Sequence, residues 1–210
     1  MTDAALSFVH RFEPAREAGV APLLLLHGTG GDENDLIPLG GMIAPGAALL
    51  SPRGKVLESG MPRFFRRLRE GVFDENDVRA RAAELAAFIA EARAAYGLAA
   101  PIAVGFSNGA NIAAALLLTQ PDVLAGAVLM RAMVPLAVPP PADLAGRRVL
   151  LLSGAMDPIV PEENAARLAG QLRAAGGDLD HRTLPAGHSL SQADLTLARQ
   201  WLASATREAA

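Results

Sequence analysis

The 210 residues are 51% hydrophobic, 20% charged and only 4% aromatic, which gives a chain of this length a substantial aliphatic core and excludes intrinsic disorder. A formal net charge of −3 with no basic block argues against nucleic acid or an anionic membrane as a partner. The absence of cysteine excludes disulfides, thiolate metal sites and a cysteine nucleophile, and suits a reducing compartment.

Met1-Thr2-Asp3 opens no basic-then-apolar pattern, so no signal peptide is expected and the protein reads as cytoplasmic. Leu6 to Phe12 alternates as an edge strand ending at Pro14. Leu23 to Leu26 is a continuous apolar run, the pattern of a strand buried on both faces of a mainly parallel sheet. It enters His27-Gly28-Thr29-Gly30-Gly31, after which Asp32 reads as the N-cap of a helix reaching about Ile43. Ala47 to Ser51 predicts another short strand. Val56 to Phe73, rich in Arg and Phe, has no clear period and is placed on the surface near the strand ends.

Asp74 to Tyr96 predicts one long amphipathic helix with Val78, Leu85, Phe88 and Ile89 on its apolar face, ended by Gly97. Ile102 to Val104 is a strand, Ala110 to Leu118 lies in a helix, and Val123 to Met130 is a strand. The apolar stretch from Val123 to Pro141 is interrupted by Arg131, Pro135 and three consecutive prolines, too broken for a membrane span. Val149 to Leu152 is a further buried strand, Pro161 to Ala175 a helix, His181 to Leu184 the last strand and Leu190 to Ala205 the closing helix. This alternation, without repeat or linker, predicts one α/β domain over residues 1–210, a doubly wound, mostly parallel sheet of about seven strands.

Ligands of such sheets bind at the carboxyl ends of the strands. There the sequence delivers Gly105-Phe106-Ser107-Asn108-Gly109, a G-x-S-x-G pattern between strand and helix. The same residues would also fit an ordinary βα turn with a serine helix cap. Two further strand ends deliver Asp157 and His188, so serine, aspartate and histidine follow in the order of an α/β-hydrolase triad. His188 can take the Ser107 proton, and Asp157 can fix the imidazole tautomer. The backbone N–H groups of Asn108 and Thr29 are the candidate oxyanion donors. Separately, Asp157 could be an Asx-turn residue and His188 a helix cap. His27 is expected to shape the glycine loop, with His10 and His181 at the surface. No spacing of His, Asp or Glu resembles a metal site, and the glycine loop lacks both nucleotide signatures, so no cofactor is expected.

On Leu26 to Gly31, Gly105 to Gly109, Gly154 to Pro161 and Gly187-His188, nearly the whole chain resembles the phospholipase/carboxylesterase family of α/β-hydrolases, which includes the acyl-protein thioesterases. Val56-Leu57-Glu58, Gly60 to Arg67, Gly71 to Asp74 and Asn108 to Asn111 resemble a bacterial branch of predicted carboxylesterases, some linked to hydroquinone and quinone stress. The resemblance implies an α/β-hydrolase fold without a large cap domain, and ester hydrolysis. Two departures stand out. Asn108 occupies a position where the thioesterases typically carry Gln, and Phe64-Phe65-Arg66 replaces their Trp-Tyr-Asp element, so long-chain or acyl-protein specificity does not carry over.

The expected activity is therefore that of a serine carboxylesterase acting on short-chain or aromatic esters. A thioesterase or lysophospholipase with the same triad, an acyltransferase, and a non-catalytic hydrolase-fold binding protein remain alternatives. Val56 to Phe73 is expected to form a wall of the substrate pocket, with Met61, Phe64 and Phe65 presented there, although one of the two rings would by default serve packing alone. Arg131, at the end of its strand, is expected either to be a solvated loop residue or to anchor an acidic or phenolic group. The partners so implied are a small-molecule ester and, at most, a second copy of the chain in a homodimer.

Overall fold

The computed structural model describes residues 6–208, so the first residues, read above as lacking a signal peptide, lie outside the described range. In chain order the main elements begin with strand β1 (His10–Glu13), β2 (Leu23–Leu26), helix α1 (Ile37–Ile43) and β3 (Leu49–Pro52). Two small hairpins follow, β4 (Val56–Glu58) with β5 (Met61–Arg63), and β6 (Arg67–Arg69) with β7 (Val72–Phe73). The chain continues through α2 (Glu75–Tyr96), β8 (Ile102–Phe106), α3 (Asn108–Thr119), β9 (Gly126–Met130), β10 (Arg148–Gly154), α4 (Glu162–Ala174), β11 (Asp178–Leu184) and α5 (Gln192–Glu208).

Seven strands form one sheet in the order β1-β3-β2-β8-β9-β10-β11, parallel except for the antiparallel edge pair of β1 and β3. Helices cover both faces. Leu24 and Leu26 of β2 turn toward the core beneath α2, α3 and α4, while Leu23 and Leu25 turn toward the core beneath α1 and α5. An unbroken leucine run is what two buried faces demand. Among the described residues no helix is long and apolar enough to cross a membrane.

Helix boundaries follow local chemistry. The Asp74 side chain accepts from the Asp77 N–H and caps α2, and Gly97 ends it in the left-handed conformation at φ 66°. The first helix is shorter than expected. Asp32 accepts from the Asn34 N–H in a tight turn, and α1 begins only at Ile37 with Pro38 in its first turn. Segment 56–73, read as irregular, is instead two hairpins.

Chain direction reverses at β2. From β2 the chain steps to β3 on one side, then returns to β8 on the other, so the ends of β2 and β8 lie side by side with Leu26 opposite Gly105. The loops leaving these two strands diverge and leave a crevice, as at other topological switch points.

Candidate active site

Ser107 stands between β8 and α3 with φ 52° and ψ −115°, a backbone region costly for any residue with a side chain. Two glycines make the turn feasible. A Cβ on Gly105 would lie 2.6 Å from the Gly109 carbonyl oxygen. One on Gly109 would lie 2.6 Å from the His27 carbonyl oxygen and closer still to that of Leu26. The Ser107 N–H donates to the Met130 carbonyl at 2.9 Å, tying the elbow to β9.

The structure brings together the three side chains singled out from the sequence. His188 Nδ1 lies 2.8 Å from Asp157 Oδ2, and His188 Nε2 lies 2.9 Å from Ser107 Oγ. A carboxylate only accepts, so Nδ1 carries the proton and Nε2 is left to accept from the serine hydroxyl. The Asp157 side chain is fully buried. Its Oδ1 accepts from the N–H groups of Ile159 (2.8 Å) and Val160 (3.0 Å). The Asx turn weighed as an alternative is therefore present on one carboxylate oxygen, while the other faces the imidazole.

Thr29 and Asn108 flank the serine from the two diverging loops. Their backbone N–H groups donate to no other described group, and both residues line the crevice. One segment braces both. The Pro62 carbonyl accepts from the Gly30 N–H at 3.0 Å, Arg63 Nη1 donates to Thr29 Oγ1 at 2.6 Å, and the Phe64 N–H donates to Asn108 Oδ1 at 2.8 Å. His27 holds the loop from behind, as expected. Buried, it donates from Nδ1 to the Gly28 carbonyl at 2.7 Å and accepts at Nε2 from the Gly54 N–H at 3.0 Å. That pattern requires neutral imidazole, and burial holds its pKa below the ordinary value.

Above Ser107 opens a cleft of about 310 Å³. Thr29, Arg63, Arg67 and Glu70 supply polar lining, and Met133, Ile159 and Val160 apolar lining. A family model described as Phospholipase/Carboxylesterase matches residues 12–206. The chain belongs to the phospholipase/carboxylesterase family. Within it, the Bacillus subtilis (strain 168) protein MhqD, whose assignment as a hydrolase is itself provisional, is 49% identical over 181 residues, 85% of this chain and 90% of that protein. The crystal structure of a Bacillus cereus carboxylesterase superposes with a TM-score of 0.92 at 42% identity, covering 95% of both chains. A structure of YahD with malic acid superposes at 0.88 with 30% identity, covering 94% of this chain and 98% of YahD.

In this family member Arg63, Arg67, Glu70 and Phe73 of the segment expected to wall the pocket do line the cleft, whereas Met61, Phe64 and Phe65 sit elsewhere. Phe64 and Phe65 are 3% and 0% exposed and belong to the core, with Phe65 edge-on to Phe73 at 5.0 Å. In a chain with few aromatics, the large faces fill the space under the hairpins. Met61 lies over the Gly30 turn, outside the residues lining the cleft.

Arg131 does end β9 beside the serine, but its guanidinium is fully engaged within the protein. It makes a bidentate pair with Asp194 (2.7 and 2.9 Å) and donates to the Gly187 (2.8 Å) and Ser189 (3.2 Å) carbonyls. It braces the loop that carries His188 and has no fork left for a substrate. Asn111, Met133 and Val160 were not foreseen as part of the cleft. Asn111 Oδ1 accepts from the Met133 N–H at 2.7 Å and fixes the loop after β9. No local pattern marks such residues, because their role depends on neighbours far away in sequence.

Proposed function

We propose that the chain is a serine carboxylesterase acting on small esters, with Ser107 as nucleophile, His188 as general base and acid, and Asp157 orienting the imidazole. The observation carrying this reading is the unbroken hydrogen-bonded series Asp157–His188–Ser107 at a strained elbow that opens on a small cleft. Ser107 Oγ attacks the ester carbonyl as its proton passes to His188 Nε2, and the N–H groups of Thr29 and Asn108 bind the oxyanion. The imidazolium then protonates the departing alcohol, leaving an acyl-serine. Water, deprotonated by His188, attacks that ester, and collapse returns the proton to Ser107 and frees the acid. Asp157 stays ionised and stabilises the imidazolium throughout.

A cleft of about 310 Å³ lies at the small end of ligand sites and supports short acyl groups over long chains. The relative solved with malic acid, a small dicarboxylic acid, supports the same size range. The test is Ser107→Ala assayed with p-nitrophenyl esters of increasing acyl length. Turnover should fall by at least about 10⁴-fold while the fold persists, and the parent protein should prefer the shortest esters. A variant retaining parental kcat removes Ser107 from the mechanism, and rates rising to long chains point to a lipid or acyl-protein substrate.

A further inference from the structure

The geometry points to Arg63 as the anchor for a carboxylate on the substrate, so that the preferred esters are small and anionic. This rests on the esterase reading above and names its substrate class. Arg63 ends β5, and the buried Phe64 and Phe65 that follow pull it inward until its side chain is only 3% exposed. A guanidinium removed from water that far ordinarily has its whole fork satisfied. Arg131 shows the usual solution, with a bidentate carboxylate and two carbonyls.

Arg63 lacks it. Its Nε donates to the Phe65 carbonyl at 3.2 Å and lies 3.2 Å from Glu58 Oε2, and its Nη1 donates to Thr29 Oγ1. Its Nη2 has no hydrogen-bond partner among the described residues. Nor is Glu58 a dedicated counter-ion, because both of its oxygens accept from Arg67 Nε, at 2.9 and 3.1 Å. Glu70 likewise pairs with Arg67. Burial accordingly holds the Arg63 pKa below the ordinary arginine value, with Glu58 only partly offsetting it.

Arg63 lines the same cleft as Ser107, so the little exposure it retains opens where an ester would lie. A carboxylate there would meet the open edge of the fork and add a second negative charge beside that of Glu58, which Arg63 shares with Arg67. Met133, Ile159 and Val160, which line the same cleft, suit the apolar remainder of the ester.

The experiment compares half-esters with their isosteric neutral amides: monoethyl succinate, glutarate and adipate, and the acetyl esters of glycolate and lactate, which place the carboxylate on the other half. For the best of these, the wild-type kcat/KM should exceed that of the matching amide by about 10- to 100-fold. Arg63→Gln should bring the ratio close to one, and Arg63→Lys should keep part of it. Both substitutions also release Thr29, so rates on neutral esters will fall, and the ratio is the readout. No anionic preference in the wild type, or equal losses on both substrates in Arg63→Gln, overturns the anchor. Should no ester be turned over, the esterase reading fails by itself. Calorimetric binding of monoethyl glutarate against its neutral amide, ethyl glutaramate, to Ser107→Ala then decides the anchor separately, with tighter monoethyl glutarate supporting it and equal affinities overturning it.

Discussion

Replacing Arg131 with Met isolates what the buried ion pair contributes. Neither Arg131 nor Asp194 has any exposed side-chain surface, and after the substitution Asp194 keeps only the N–H (2.8 Å) and hydroxyl (2.7 Å) of Ser191. Leaving one member of such a pair alone costs about 3–5 kcal/mol, against a total stability on the order of 5–15 kcal/mol. In the wild type, burial pushes the Asp194 carboxyl up, but hydrogen bonds from Arg131 and Ser191 outweigh it and hold the group below its usual range. Its contribution is therefore complete above the ordinary carboxylate pKa and is lost as pH falls through the depressed folded value.

In the variant, burial acts without the guanidinium and the sign reverses. The penalty is then largest near neutrality and fades as pH drops toward about 4, where the unfolded carboxyl also protonates. Urea unfolding at several pH values measures this, and Arg131→Met/Asp194→Asn should recover part of the loss at pH 7. Because the Gly187 and Ser189 carbonyls lose their donors as well, kcat should fall more than KM changes. A destabilisation independent of pH, with no recovery in the double variant, would refute the reasoning.

Gly109→Ala sets helix propensity against packing. Alanine in a helix is worth about 1 kcal/mol over glycine, but here its Cβ would press on backbone carbonyls of Leu26 and His27, which cannot swing aside. Overpacking of that kind costs about 1–3 kcal/mol or more, so the urea midpoint should fall, and a midpoint above the parent's would contradict the geometry. His27 and His181 both have pKa values lowered by burial, so the unfolded chain takes up their protons first. Stability should be complete above about pH 6.5 and decline as pH falls below it. His27→Gln should flatten part of that decline, and a wild-type profile that stays level from pH 7.5 to 5.5 would show that these histidines are not held neutral.

The sheet was legible because its signals are local. Leu23 to Leu26 can be buried on both faces only inside a covered sheet, and Asp74 and Gly97 mark the two ends of α2 by their own chemistry. Ser107, Asp157 and His188 were legible as candidates because strand order alone brings their loops to one edge. The cleft wall was legible only as a segment, 56–73, and not side chain by side chain. Phe64 and Phe65 carry no mark distinguishing a core ring from a pocket ring, and burial decides it only once α2 and the hairpins are packed. Arg131 and Arg63 are the same residue type near the same serine. One is satisfied by Asp194, 63 positions away, and the other shares Glu58 with Arg67, which also pairs with Glu70. Neither outcome is written in the flanking residues.

Helix α3 is buried along its length from Asn108 to Leu118. Its amides should therefore exchange with solvent only when the whole molecule opens, which places Ser107 at the head of the slowest-opening part of the fold. Such a helix tolerates almost no change in volume on any side. Drift toward new substrates must then be drawn from the hairpins between residues 56 and 73 and the loop after β9, where side chains can be exchanged without disturbing the element that strains Ser107.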